Sequence, residues 1–202
     1  MKNDTVPIPT ASGLLFDPLK PTPDGIRAVD VAHALANKCR YTGHTRVFYS
    51  VAEHSVRVSQ YLREGGVCRE GQLWGLLHDC GEAYLPDIAS PVKPHVWIRI
   101  PGTGTDIPFE EAERNVLRAV AEALTVPWEG HDRWAATVKE ADLAILSWEV
   151  RALLPPIPGY WREADRTLNR SPPAAPELSG APGWKPRVAR DEFLVSLGSL
   201  LG

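Results

Sequence analysis

The chain has no surplus of charge of either sign: 22 Lys and Arg stand against 25 Asp and Glu, a net charge of −3. That balance argues against a general attraction to nucleic-acid polymers or anionic membrane surfaces. Any phosphate-bearing ligand therefore has to be held by local cations. The sequence also lacks a stretch approaching the roughly 18 uncharged apolar residues that span a bilayer. Its first residues, MKNDTVPIPT, lack the apolar core of a secretory signal, so the expected location is the cytoplasm, with no membrane partner. Cysteine is scarce and odd in number: Cys39, Cys68 and Cys80 show no CxxC spacing, which argues against a disulfide framework or a thiolate zinc site. Cys80 reads as a small packing residue. No internal repeat is visible and strand signals are few, which leaves an all-α class. What is present suffices for one core: 202 residues with 44% apolar content and 7 Trp predict a single domain spanning the chain.

Along the chain, residues 1–28 are rich in Pro, Thr, Gly and Asp and should form an irregular or briefly paired arm. Leu14, Leu15 and Phe16 are expected to pin it to the body. A short helix is predicted from Val29 to Ala36. After the loop CRYTGHTRVFYS, Ser50 and Glu53 form a capping box for a helix that ends at Gly65–Gly66. A further helix runs from about Arg69 through His78–Asp79, limited by Pro86. Residues Ala89 to Asp106, with Pro91, Pro94, Pro101 and GTGT, read as a long loop of the kind that often serves as a lid. Asp106 as cap and Pro108 in the first turn signal the next helix. Another covers roughly His131 to Leu154. The Pro-rich segment 171–186 is expected to be an extended wrap or mobile loop, followed by an amphipathic helix over 188–201.

The chemistry-bearing stretch is WGLLHDCGEAYLPDIASPVK, Trp74 to Lys93. Adjacent His78 and Asp79 offer one nitrogen and one oxygen, half of a site for a hard or borderline divalent metal. Two further residues lie on apolar helical faces. His54 shares a face with Val51, Val58 and Tyr61, and Asp142 with Val138 and Ile145. An ionised carboxylate in such a place is costly unless it is paired or bound to a cation. For Asp142 the alternative is an ion pair with Lys139 or Arg151; for His54 it is a satisfied core histidine. A metal site formed by His54, His78, Asp79 and Asp142 gives the set one explanation.

In this order the motifs AEHS, HDCGE, LPD, SPVK and KEAD resemble the HD-domain metal-dependent phosphohydrolases, and among them the YfbR-like deoxynucleotide 5′-nucleotidases. LFDPLKPTPDG and CRYTGHTRVFYSVAEHS are similar to the compact phage enzymes that hydrolyse deoxynucleoside triphosphates, dATP in particular. The resemblance covers roughly residues 11–155. It implies a compact HD-domain helical bundle with Pro-rich loops, working in a bacterial or phage-infected cell and assembled as a homo-oligomer, a dimer or hexamer. It implies one divalent ion (Zn, Co, Mn or Mg) on His54, His78, Asp79 and Asp142, with Glu82 and Asp87 acting beside it and Arg40 and Lys93 facing the phosphate.

The residues themselves fit those roles. Glu82, one turn after His78, can orient a water or accept its proton. Asp87 can protonate the leaving 5′-oxygen or hold the sugar. Arg40 offers a planar fork for phosphate oxygens and Lys93 a point charge, with His44 and Arg46 as further phosphate contacts. Tyr41 or Trp97 are possible base-stacking residues, and His95 and His131 leave room for a second metal. The expected reaction is cleavage of the 5′-phosphate ester of a 2′-deoxynucleotide. The cations tilt it toward release of triphosphate from a dNTP; the alternatives are a 5′-nucleotidase acting on monophosphates and a non-catalytic nucleotide sensor.

Overall fold

Ser50 begins the helix that the rest of the molecule surrounds, its Oγ accepting the Glu53 backbone N–H at 3.1 Å. In the computed structural model, which describes residues 6–156, 178 and 180–202, that helix is α2, Val51–Glu64. Every residue from Val51 to Ser59 is buried. The sequence pattern predicts one buried face on this helix; the structure buries its whole circumference over more than two turns. The reason is that α2 is packed on several sides at once. It contacts α1 (Ala28–Asn37), α3 (Arg69–Leu77), α5 (Glu129–Leu153) and the last helix, α6 (Pro186–Leu201). With α4 (Phe109–Ala123), these form the all-α body. Among the described residues, no helix is long and apolar enough to cross a membrane.

Gly75 lies where α3 crosses α2. A Cβ on it would fall 2.4 Å from Leu62 Cδ1, so a larger residue there makes the Leu62 side chain move. The α3 helix ends at Leu77, earlier than the sequence predicts, with His78 as its C-cap and Asp79 leading into a 3-10 turn, Cys80–Ala83. That turn is pressed on α4: a Cβ on Gly81 would lie 2.7 Å from the Glu113 carbonyl oxygen. Cys80 is fully buried, as a packing residue would be.

The N-terminal arm is briefly paired, as expected, through two antiparallel strands, β1 (Ile8–Pro9) and β2 (Leu15–Phe16). Alternation along β2 turns Phe16 into the core while Leu15 remains 65% exposed, so Phe16 rather than Leu15 pins the arm. Phe16 packs on Tyr84 with ring centroids 4.0 Å apart. The buried Asp30 completes the attachment by accepting from the Ser12 backbone N–H at 2.7 Å and the Thr10 hydroxyl at 2.9 Å.

Residues 89–106 are more ordered than the predicted loop. They contain a 3-10 turn at Lys93–His95 and lead into a hairpin of β3 (Trp97–Arg99) and β4 (Asp106–Pro108), with Ile98 opposite Ile107. The GTGT segment is the hairpin's connection, and Gly102 and Gly104 take the positive φ values that the reversal requires. Asp106 consequently belongs to β4, paired with Arg99, and does not cap α4; Pro108 occupies that cap position. Of the segment 171–186, residues 171–177 and 179 lie outside the described residues.

The capping box is only half formed, because the Glu53 side chain turns away from Ser50. It accepts from Arg57 Nε and Nη2 at 3.1 and 2.9 Å, and from the backbone N–H groups of Gly183 and Trp184 at 3.2 and 2.8 Å. The Arg57 guanidinium lies over the rings of Trp148 and Trp184 and donates to the Ala181 carbonyl. This buried pair fastens the approach to α6 onto α2. Arg57→Leu is expected to lower the unfolding free energy by about 3 kcal/mol, the usual consequence of breaking a buried pair from one side. Urea denaturation measures it, and a loss below about 1 kcal/mol would mean that the two backbone donors hold Glu53 unaided.

Candidate metal centre

Three elements around the α2 core each bring one polar group to the same point. His54 is in the second turn of α2, His78 closes α3, and Asp142 lies midway along α5. Candidate ligand atoms of these three residues all lie within 4.8 Å of one another. His54 Nε2 is 3.3 Å from His78 Nε2 and 3.3 Å from Asp142 Oδ1. Asp79 borders the group, its Oδ2 lying 3.2 Å from His78 Nε2 and 3.7 Å from His54 Nε2.

The other nitrogen of each ring is already engaged. His54 Nδ1 lies 2.6 Å from Glu149 Oε1 and His78 Nδ1 lies 2.8 Å from the Gly75 carbonyl. A carbonyl can only accept, so His78 Nδ1 carries a proton, and in the neutral ring Nε2 presents a lone pair. The Glu149 carboxylate holds the His54 Nδ1 proton in the same way. When both rings are neutral, two nitrogen lone pairs face each other at hydrogen-bond distance. An unsatisfied buried acceptor costs about 1–3 kcal/mol, so something positive belongs between them. A proton on His54 can fill the place; so can a divalent cation, and imidazoles oriented through Nδ1 by a carboxylate or a carbonyl are the usual support for one. The residues fit a metal.

The electrostatics agree. Burial and Arg40 both lower the His54 pKa, but Glu149 and Asp142 outweigh them and push it up to about 9. Burial disfavours ionised Glu149, yet Arg40 and His54 hold it down at about 2. Burial likewise opposes charge on Asp79 and Asp142, whose carboxyls are nonetheless held below the usual range, Asp79 chiefly by His78 and Asp142 chiefly by His54. Lys139 Nζ also reaches Asp142 Oδ2 at 2.8 Å. The two readings of Asp142 are therefore compatible, one oxygen for each.

Arg40 sits behind this cluster, 3.3 Å from Asp79 and 3.4 Å from Glu149. Tyr41 Oη donates to Glu149 Oε2 at 2.7 Å. Tyr41 and Thr42 take φ values of 56° and 50°, a left-handed pair that non-glycine residues rarely adopt and that tends to persist at functional sites.

Beside the cluster lies Glu82, 5% exposed, with Oε2 lacking any hydrogen-bond partner. Burial, then the charges of Asp79 and Asp87, raise its pKa to about 9. Lys38 donates to the Glu82 carbonyl and fixes the turn. Asp87 is half-buried, near enough for its charge to act on Glu82. Lys93 Nζ stands between two carboxylates, 3.7 Å from Glu82 and 2.9 Å from Glu113.

Two cavities of about 210 and 220 Å³ share His78, Asp79, Leu117 and His131. The first continues past Glu82, Lys93, Glu113 and Arg114; the second runs along Asp142, Lys139 and Ala135. Of the residues expected to contact phosphate, Lys93 lines the first cavity. His44 is exposed and lines neither. Arg46 is exposed and donates to the Leu154 carbonyl at 2.6 Å, at the end of α5. Trp97 is 62% exposed on the hairpin. The sequence reading missed Glu149, Lys139 as a cleft cation, Arg114 and the cleft position of His131. Glu149 had a signal: it follows Asp142 by seven residues, two helical turns on the same face.

Fold and site together define an all-α protein with a His–His–Asp cluster able to hold a metal ion. No family model matches the sequence. Over 146 residues it is 34% identical to the uncharacterized protein YfdR of Escherichia coli (strain K12), with 72% of this chain and 71% of that protein covered. The chain belongs to the same family as YfdR. An uncharacterized protein of Rhodobacter capsulatus is 42% identical over 86 residues, covering 41% of this chain and 44% of its own length.

Replacing Glu149 with Gln is expected to weaken zinc or cobalt binding about 10- to 100-fold, the usual penalty for losing an orienting carboxylate; competition with a chelating dye reads it, and unchanged affinity would remove Glu149 from the site. The pH dependence has a definite sign. A metal must displace the His54 proton, so below about 9 apparent affinity should rise about tenfold per pH unit. A flat affinity between pH 6 and 8 would contradict this.

Proposed function

We propose that the chain is an HD-domain metal-dependent phosphohydrolase that cleaves the bond between the 5′-oxygen and the α-phosphorus of 2′-deoxynucleotides, triphosphates in preference to monophosphates. The observation that carries this reading is the placement of a four-residue nitrogen and oxygen donor set at the meeting point of two cavities, with a buried carboxyl whose Oε2 is free beside it. The two cavities supply room for the two halves of a substrate whose reacting phosphorus lies between them.

His54, His78, Asp79 and Asp142 would hold the ion. When bound, a divalent ion in this setting supplies a Lewis acid for a phosphoryl oxygen and for the attacking water. The rest is done by side chains. Glu149 and the Gly75 carbonyl keep both imidazoles turned through Nε2. Glu82 ionises more readily once positive charge stands near Asp79, and its unpartnered Oε2 accepts a proton from the attacking water. Asp87 is the second carboxyl of the reaction, acting beside Glu82. Lys93, held between Glu82 and Glu113, is positioned to neutralise charge on the reacting phosphate. Water adds to phosphorus, the bond to the 5′-oxygen breaks, and a deoxynucleoside leaves with a proton.

The preference for triphosphates rests on different cations from those the sequence suggests. His44 and Arg46 line neither cavity, whereas Lys93, Arg114 and Lys139 do. Incubation with the common deoxynucleoside mono- and triphosphates and Mg, Mn, Co or Zn tests the reading. The expected products are deoxynucleoside and tripolyphosphate; orthophosphate would indicate the 5′-nucleotidase instead, and no hydrolysis with any metal would contradict the assignment. Glu82→Gln is expected to retain the metal and to lose about 10²- to 10⁴-fold in kcat. Full activity in that variant would remove Glu82 from the mechanism.

A further inference from the structure

Two consecutive side chains reach the same buried oxygen. Arg40 Nη2 lies 3.4 Å from Glu149 Oε2, and Tyr41 Oη donates to that atom at 2.7 Å. In an extended chain, successive side chains point to opposite sides. Arg40 is extended, at φ −66° and ψ 168°, but Tyr41 takes φ 56°, a left-handed conformation that a residue with a side chain adopts only at a cost. The reversal lets both groups face α5. The segment around it is pinned. The Arg40 N–H donates to the Tyr49 carbonyl at 2.9 Å, the Arg46 N–H to the Leu153 carbonyl at 2.9 Å, and the Arg46 guanidinium to the Leu154 carbonyl at 2.6 Å. Leu153 and Leu154 close α5, so the loop grips the end of the helix that carries Glu149 and satisfies carbonyls that the helix itself leaves free.

Glu149 is fully buried, and bulk water does not reach its oxygens. Oε1 meets His54 Nδ1 at 2.6 Å, while Oε2 takes the Tyr41 hydroxyl. Arg40 aims the carboxylate less closely: its contacts to Glu149 and Asp79, at 3.4 and 3.3 Å, are both long, and its Nε has no partner. The short bond from Tyr41 fixes the plane of the carboxylate, and that plane sets the ring of His54. Tyr49, on the returning side of the same loop, offers an internal comparison. Its hydroxyl is also buried and near enough for the charge of Glu149 to act on it, yet it has no hydrogen-bond partner.

We propose that Tyr41 is a positioning residue of the metal centre, acting through Glu149 to aim His54 Nε2, and that the left-handed turn at Tyr41–Thr42 is retained because it delivers that hydroxyl. The inference rests on the metal site of the phosphohydrolase reading and adds to it a residue whose test needs no turnover. Cobalt affinity of the full chain is read by competition with a chelating dye. Tyr41→Phe keeps the ring that Arg40 lies over and removes only the hydroxyl. It is expected to weaken cobalt binding at least about threefold, less than the roughly 10- to 100-fold that loss of a directly orienting carboxylate brings. Tyr49→Phe removes a hydroxyl without a partner and should bind cobalt as the wild type does. In a Glu149→Ala background, Tyr41→Phe should have no further effect, because the hydroxyl then has nothing to act through. A residue that only packs the loop would weaken binding by the same factor with or without Glu149. Wild-type or tighter affinity in Tyr41→Phe, equal losses in the two phenylalanine variants, or an undiminished loss in the absence of Glu149 would overturn the role of Tyr41 and leave the metal centre standing. Failure of the wild type itself to bind cobalt would overturn the metal centre and this role with it.

Discussion

Two imidazoles are held with their Nε2 atoms 3.3 Å apart because each ring is anchored through its other nitrogen, one to a buried carboxylate and one to the last turn of a helix. Much of the architecture follows from keeping that arrangement in place. The α2 helix has to be enclosed so that His54 and Glu149 stay out of water, where their hydrogen bond is strong. The α3 helix has to end at Leu77 so that His78 can turn back on the Gly75 carbonyl. Gly75 and Gly81 permit the close approaches that set α3 against α2 and the following turn against α4. Charge follows the same constraint: three buried or half-buried carboxylates, Asp79, Asp142 and Glu149, face one enclosed guanidinium, Arg40, with Lys139 at the exposed edge.

The α2 helix also carries a second buried ionic device. Glu53 and Arg57 on it hold the segment that leads into α6, while the neighbouring His54 turns to the cluster. Trp148, under Arg57, adjoins Glu149 in the same manner on α5. The segment leading into the last helix is thus fastened to α2 on residues adjacent to His54, and the helix itself packs on α1, α2 and α3. That gives residues beyond the motif-bearing region a role in keeping the donor set rigid.

The helices and the donor set were largely legible in the sequence, for physical reasons that apply to some residues and not to others. Asp142 and His54 stood out because a polar group on an apolar helical face needs a partner. Ser50 and the paired glycines marked the ends of α2 through local backbone chemistry. The β3–β4 hairpin escaped notice because prolines and glycines mask a strand only three residues long, whose evidence is a cross-strand pair, Ile98 with Ile107. Glu149 escaped because a single glutamate late in a long helix, with Arg151 two residues on, looks solvated until α2 and the Arg40 loop are known to cover it. The cations of the cleft were misplaced for the same kind of reason. His44 and Arg46 lie near Arg40 in sequence, but the turn at Tyr41–Thr42 leaves them exposed, whereas Arg114 and Lys139 reach the cleft from helices far along the chain.

The central claim is that the imidazoles of His54 and His78 converge on a cation. Anomalous diffraction from crystals grown with cobalt tests it most directly. The account predicts a single strong peak about 2.0–2.2 Å from Nε2 of both histidines and from a carboxylate oxygen of Asp142. A peak located elsewhere, or rings that stay in direct contact with no metal density between them at saturating cobalt, would contradict it.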